Sequence, residues 1–380
     1  MIKPEEKMRT WAEIDLSAIK HNTAEFKKKL ADNTKLLAVV KADAYGHGAL
    51  EVSLAALNSG ADELGVATLE EAVYLRNSGI DAPILILGII FDDEIENLIK
   101  FDITATVTSY DYALNISNEA KKQNKTAKIH IKLDTGMSRI GYTSDSDYVA
   151  EIKKIALLPN IYIEGIFSHF SKADEENIEY TEIQFDRFVK MCGKLEENGI
   201  KIPVKHISNS AGIMRNKKYH LDMVRLGISL YGQFPSDIFE KEKFDIKLLP
   251  AMTLKSRVAF VKEVPENVHI GYNGTFVTNK TTMIATVAIG YADGYSRSLS
   301  NKGYAIVKGK ICKIIGNVCM DQLMLDVTGI KDIKFGDEVI LFGSFGNTII
   351  NVDDVAALIN TNSYELLCHI GKRVPRIYIQ

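Results

Sequence analysis

Short apolar runs separated by amphipathic stretches recur from Leu37 onward, and this rhythm limits the possible folds more than any other feature of the chain. Seven runs read as strands, LLAVV, ELGVA, PILIL, ITATV, KIHIKL, YIEGIF and VKHIS, and an eighth follows in LDMVRLGISLYG. Strands spaced roughly 20 to 40 residues apart leave room for a crossover helix each time, which is the order of a parallel (β/α)8 barrel. The helices carry their own punctuation. Thr68-Leu69-Glu70-Glu71 reads as a capping box that opens one helix, and Asn77-Ser78-Gly79 as its stop. Between Ala211 and His220 there is space for only about two helical turns, so the last crossover must be abbreviated.

After Pro250 the pattern changes to β-type alternation in LKSRVAFVKEV, TMIATVAIG, YAIVKGKICKIIG and DEVILFG, followed by a helix from about Val352 to Ile359. The expected fold class is therefore α/β: a TIM-type barrel over residues 12–247 and a mainly β domain over 248–380, with residues 1–11 packing on the latter. A length of 380 residues is ample for one large core and a smaller one. With 46 basic against 49 acidic residues, the chain has no surplus charge to track a phosphate backbone, and nucleic acid is not an expected partner. The opening MIKPEEKMRT has no apolar signal-peptide core. The longest apolar stretch, Ala82 to Phe91, contains a proline and is about half a membrane span, so a cytoplasmic protein without a membrane partner is expected. Cys192, Cys312, Cys319 and Cys368 are scattered without a C-x-x-C pair, which argues against a disulfide framework and a metal site.

In a βα barrel the functional groups project from the carboxyl ends of the strands. Here those positions hold Lys41-Ala42-Asp43, Asp134-Thr135, Ser168-His169, Ser208-Asn209-Ser210 and, within the eighth run, Arg225. An ammonium pressed against apolar walls loses solvation, and its pKa falls toward neutrality, which makes Lys41 a candidate nucleophile or base. Taken singly, each residue has a plainer reading as well: Lys41 as a strand terminator, His169 between Phe167 and Phe170 as a core histidine, Arg139 as a surface charge, Tyr272 between glycine and asparagine as hairpin packing.

The segments VVKADAYGHG, KLDTGMSRIGY, FSHF, HISNSA, MVRLGISLYG, IGYADGY, GNVCMDQLMLDV and YELLCHIGKRVPR occur in the order in which they occur in alanine racemases. The chain resembles that family over essentially its whole length. The resemblance implies an isomerase that interconverts L-alanine and D-alanine by two-base proton transfer at Cα of an alanine joined to pyridoxal 5'-phosphate, supplying D-alanine for peptidoglycan. It implies a Schiff base at Lys41, contacts to the cofactor from Tyr45, His169, Asn209, Ser210, Gly227, Ile228 and Tyr364, and Arg225 on the pyridine nitrogen. A permanent positive charge there disfavours pyridinium formation and so weakens the ring as an electron sink. Lys41 serves one face of Cα and Tyr272, in HIGYNGTF, the other. A phenol has a reference pKa of about 10 and needs help to act as a base, and a relay from Arg225 through His169 is the implied source. The family pattern around this tyrosine is Ser-Tyr-Gly, whereas this chain reads Gly271-Tyr272-Asn273. Arg139 and the backbone of Met320 are implied to bind the substrate carboxylate, Lys132 to be a carbamylated lysine, and Tyr291, Arg297 and Asp321 to line the access channel. The family also implies a homodimer with composite sites, Lys41 and Tyr272 coming from different chains.

The alternatives are a serine-preferring or broad-specificity racemase of the same fold, a decarboxylase on the same plan, and a non-catalytic carrier of pyridoxal phosphate. Tyr364 opposes serine selectivity, Arg225 opposes a decarboxylase, and a carrier has no use for a second domain bearing Tyr272 and Met320.

Overall fold

The computed structural model describes residues 8–241, 244 and 246–380. Residues 1–7 of the expected N-terminal packing segment and residues 242, 243 and 245 near the expected boundary lie outside them. The first strand, β1 (Thr10–Asp15), finds its partners at the far end of the sequence. Eight parallel strands follow: β2 (Lys35–Val39), β3 (Glu63–Val66), β4 (Ile84–Ile86), β5 (Ala105–Val107), β6 (Ala127–Lys132), β7 (Ile161–Phe167), β8 (Val204–His206) and β9 (Met223–Leu226). They form two four-stranded arcs, β4-β3-β2-β9 and β5-β6-β7-β8. The arcs close into a ring through the parallel bridge Leu85↔Thr104 on one side. On the other, the Asp222 and Arg225 amides donate to the carbonyls of Lys205 and Ser208, each at 3.1 Å. This is the expected barrel, with its strands where the apolar runs placed them.

The strands are buried along most of their length because helices cover them. The longest, Glu179–Glu197, turns Thr181, Gln184, Phe188, Met191, Cys192 and Leu195 inward at helical spacing. Each of the large apolar side chains among them contributes about 1.5–3 kcal/mol by leaving water. The short last crossover is a six-residue helix, Ser210–Arg215, followed by a 3-10 turn at Lys217–Tyr219.

The remaining strands belong to a nine-stranded sheet and a small hairpin. They are β10 (Met252–Val264), β11 (His269–Ile270), β12 (Phe276–Val277), β13 (Thr282–Val287), β14 (Tyr304–Val307), β15 (Lys310–Ile314), β16 (Leu323–Asp326), β17 (Glu338–Phe345), β18 (Thr348–Ile350) and β19 (Arg376–Ile379). The sheet order is β18-β17-β14-β15-β16-β13-β10-β1-β19, and β10 also pairs with β17, so the sheet curls back on itself. Val287, Ile306, Ile314, Leu325 and Leu341 fill its core. A satellite core of Val264, Ile270, Ile284 and Ile315 lies beneath the β11–β12 hairpin.

Two features depart from the expected 12–247 barrel. β1 pairs antiparallel with β10 and parallel with β19, so residues 8–17 go with the C-terminal unit that begins at Pro250, and Tyr45–Gly48 is grouped with that unit as well. The barrel unit is Ala18–Ala44 and Ala49–Leu249.

Candidate active site

Within the barrel unit the residues after β2 make an unusual turn. Val40 keeps register by donating its amide to Gly65 O at 2.8 Å. Ala42, Asp43, Ala44 and Tyr45 then all adopt φ of 52–53°. Among the described residues this is the only run of consecutive non-glycine residues at positive φ. An L-residue in a left-handed helical turn costs about 1–2 kcal/mol, and strain of this kind persists where the surroundings dictate it, commonly at functional sites. Lys41 stands at the start of this turn. The Ala44 amide closes it onto Val40 O at 2.9 Å, and the Asp43 carboxylate accepts the Ala49 amide at 2.8 Å.

Half of the capping box expected at Thr68 forms, since the Glu71 amide donates to Thr68 Oγ1. The reciprocal half does not. The Glu71 carboxylate accepts the amides of Ala42 at 2.6 Å and Ala67 at 2.8 Å instead. The N-cap amide therefore loses its expected partner to the end of the neighbouring strand.

A buried column of polar rings fills the barrel around Arg225. Its guanidinium can only donate, and it does so to His206 Nδ1 at 2.7 Å, His169 Nδ1 at 3.0 Å, and the carbonyls of Ser168 and Ile207, both at 2.8 Å. Those donations fix the tautomers. His206 must carry its proton on Nε2, which reaches His130 Nδ1 at 2.9 Å, and His130 Nε2 lies 3.4 Å from a carboxylate oxygen of Glu164. Gly165 leaves room for the His130 ring, because a Cβ there would lie 2.4 Å from it. Burial first, then the charge of Arg225, holds both His169 and His206 well below the usual histidine range, so both are neutral at physiological pH. Burial and Arg139 bring Arg225 down to about 9, which still leaves it cationic at neutral pH.

Lys132, the last residue of β6, is buried. Its Nζ donates to Leu133 O at 2.7 Å and lies 5.1 Å above the Phe167 ring. Burial, followed by the charge of Arg225, lowers its pKa to about 7. Arg139 is exposed on the following loop, which is pinned by Asp134 accepting the amides of Gly136, Ser138 and Arg139.

Asn209 caps the short helix at Ser210 by accepting the Gly212 amide at 3.0 Å. Ser210 Oγ accepts the Gly227 amide at 3.0 Å, and Gly227 in turn precedes the 3-10 turn Ile228–Tyr231. Two helical starts and a hydroxyl thus converge, which suits the oxygens of a phosphate.

In the other unit, Tyr45 and Tyr364 approach with ring centroids 6.1 Å apart. Burial raises the Tyr45 hydroxyl well above its ordinary range, so it remains a donor. Tyr272 is 71% exposed on the turn of the β11–β12 hairpin. Its flanks explain the departure from Ser-Tyr-Gly: Gly271 has φ 70° and Asn273 φ 61°, and asparagine tolerates the left-handed region better than other side chains. Asn317 Nδ2 donates to Tyr272 O at 2.8 Å and fixes the turn.

The structure also brings Tyr291, Met320 and Asp321 together. The amides of Tyr291 and Ala292 donate to the carbonyls of Cys319 and Met320, each at 3.0 Å, an approach that Gly290 alone permits because a Cβ there would lie 2.4 Å from Met320 O. Arg297 lies on a neighbouring 3-10 turn, close enough for its charge to act on Cys319. Sequence reasoning missed the anchor of this group, the buried Asp293, which binds Arg9 and accepts the Gly290 amide at 3.0 Å, while Arg373 bridges to Asp321 at 2.8 Å. Only the acidic residue inside IGYADGY hinted at it.

The family model for the N-terminal domain of alanine racemase matches residues 14–235, and that for the C-terminal domain matches residues 251–378. The alanine racemase of Clostridium tetani is 47% identical over 97% of this chain and 95% of its own length. Among solved structures, alanine racemase of Clostridium difficile 630 superposes with a TM-score of 0.94 at 42% identity, covering 98% of this chain and 96% of that one. The enzyme of Bacillus anthracis with bound L-Ala-P gives 0.93 at 36% identity, with 98% and 95% covered. That of Bartonella henselae, with covalently bound pyridoxal phosphate, gives 0.87 at 29%, with 98% and 100% covered.

Proposed function

The chain belongs to the alanine racemase family, and from that premise we propose that Lys41 and Tyr272 are the two groups that move the Cα proton between L-alanine and D-alanine. The enzyme is a pyridoxal-phosphate-dependent isomerase. When bound, the cofactor supplies an electron-withdrawing ring that acidifies the Cα–H of alanine. The residues present fit it. In the barrel unit, Ser210, Ile228 and, on release from Ser210, Gly227 would donate to its phosphate, with Asn209 holding the helix start; the protonated Tyr45, packed against Tyr364 in its own unit, would add a further donor. Arg225 would face the pyridine nitrogen, and Lys41 would carry the link.

The observation that carries the mechanism is the direction of the hydrogen bonds around Arg225. Because Arg225 donates to Nδ1 of a neutral His169, that ring keeps its proton on Nε2 and can hold an oxyanion there. A tyrosinate at that nitrogen is a competent base, so we assign His169 to Tyr272. One group cannot reach both faces of a flattened Cα, which is why a second base is needed opposite Lys41. Arg139 would hold the substrate carboxylate with the Met320 backbone, and Tyr291, Arg297 and Asp321 would line the approach. Lys132, with its pKa lowered to about 7, has a neutral amine in a sizeable fraction of molecules at neutral pH, which can take up carbon dioxide and release a proton; the resulting carbamate would face Arg139.

Tyr272 is too exposed in a single chain to exchange a proton with Cα in a site shielded from water. We therefore infer a homodimer in which each Tyr272 is covered by the partner's barrel. No helix among the described residues is long and apolar enough to cross a membrane. We propose that the enzyme works in the cytoplasm, supplying D-alanine for peptidoglycan.

A coupled assay for L-alanine formed from D-alanine, run beside D-serine and with and without added cofactor, tests the activity. The expected result is cofactor-dependent turnover that favours alanine; equal turnover of serine would move the assignment to a broad-specificity racemase. The purified protein should be yellow, and borohydride should fix a pyridoxyl group on Lys41. Label on another lysine would remove Lys41 from its role. Replacing Tyr364 with Asn should enlarge the pocket and shift kcat/KM toward serine by about tenfold, within the 1–3 kcal/mol expected of such contacts. An unchanged ratio would show that Tyr364 does not line the pocket.

A further inference from the structure

The Glu71 carboxylate lies at the junction of two barrel strands. One oxygen accepts the amide of Ala42, the first residue of the left-handed turn after β2, and the other accepts the amide of Ala67, just beyond β3. The strands themselves are in register there, with Val39 opposite Gly65. Four consecutive residues in a conformation that their Cβ atoms oppose will not hold it unaided. Among the bonds that hold this turn are Ala44 to Val40 O, Asp43 to the Ala49 amide, and Glu71 at its first amide. The Glu71 bond falls on the residue directly after Lys41. A carboxylate that served only to cap its own helix would bind the Thr68 amide; this one reaches past it.

We propose that Glu71 is a positioning residue for Lys41: it clamps the amide of Ala42, holds the left-handed turn, and so directs the lysine ammonium toward Cα. This rests on the reading of Lys41 as the cofactor-bearing base. Charge assists the clamp, since an ionised acceptor binds an amide more strongly than a neutral one. Glutamine keeps the length of the side chain but has only one acceptor oxygen, so it can satisfy one amide and must turn its own donors toward the other.

The test uses Glu71→Gln and Glu71→Ala in the holoenzyme, each also combined with Ala42→Gly. Glycine removes the Cβ that opposes the left-handed conformation at an exposed position, so it should restore what the loss of Glu71 takes away. Three quantities are read: amide hydrogen exchange of residues 42–45, the pH midpoint of the visible absorbance of the lysine-linked cofactor, and kcat and KM separately. The expected result is exchange faster by about tenfold or more in both single variants, a displaced absorbance midpoint, and kcat lower by about tenfold with KM within about twofold, all partly recovered by Ala42→Gly. Unchanged exchange would mean that Glu71 does not hold the turn. Faster exchange with unaltered absorbance and kcat would mean that the turn does not aim Lys41. Either outcome overturns the proposal. If the single variants fail to fold and the Ala42→Gly background does not restore folding, Glu71 acts on folding alone, which also overturns it. Borohydride label on a lysine other than Lys41 would sink the underlying reading instead, whatever the exchange data show.

Discussion

Replacing Arg225 with Glu should convert much of the enzyme's turnover from racemisation to side transamination. The guanidinium is buried at the end of a donor-only chain, and every partner is arranged to receive: Nδ1 of His206 and of His169, and two carbonyls. A glutamate there would reverse the chain, drawing a proton onto His206 Nδ1 and, on the proposed reading, onto a cofactor nitrogen that the arginine would keep bare. A protonated ring withdraws electrons more strongly and holds the Cα electron pair longer, so the proton returns to the wrong carbon more often. His169 would also lose the cation that fixes its tautomer, and with it the hold on Tyr272. Losing a preorganised electrostatic group typically costs about 2.7–4 kcal/mol, so kcat/KM for racemisation should fall by two to three orders of magnitude. The fraction of turnovers that release pyruvate should rise by about tenfold or more. Nitrogen NMR of His206 provides a separate readout, with the proton moving from Nε2 to Nδ1. If the partition between the two reactions stays as in the parent enzyme while racemisation falls, Arg225 serves structure and not the electronics of the ring.

The barrel was legible because its strands are buried on both faces. LLAVV and PILIL have no polar alternation to confuse them, and the crossover lengths between the runs admit little else. The C-terminal strands at β10, β13 and β17 were equally plain. Shorter ones were not: β16, β18 and β19 span three or four residues each, too few for a period to emerge. β1 could not be assigned to its sheet from sequence because both of its partners lie more than two hundred residues away, and only tertiary pairing places it there.

The site divides along the same line. Lys41, Arg225 and His169 stand at strand ends, where barrel geometry directs attention. The left-handed run from Ala42 to Tyr45 had no such signal, for its residues are two alanines, an aspartate and a tyrosine, and only the aspartate is at ease there. Glu71 carried a signal that pointed elsewhere, since a capping box describes the local helix and says nothing of a neighbouring strand's amide. Asn273 was the reverse case, a departure from the family pattern whose side chain already suits the φ it adopts.

The central claim is that one chain supplies Lys41 and its partner supplies Tyr272, and mixed dimers test it directly. Suppose the inactive variants Lys41→Ala and Tyr272→Phe are unfolded together and refolded as a mixture. Each mixed dimer then holds one site lacking both groups and one site with both intact. Random pairing makes about half of the dimers mixed, so about a quarter of all sites should be active although neither parent has activity. The control places both changes on one chain and refolds it with the unaltered protein. Mixed dimers there carry one fault per site, so only the unaltered dimers, about a quarter, should work. Were the two groups to act within one chain, that control would instead retain about half of the activity. Recovery to about a quarter in the first mixture is the result the account predicts. A first mixture that stays inactive, with mass measurements confirming that mixed dimers have formed, would contradict it.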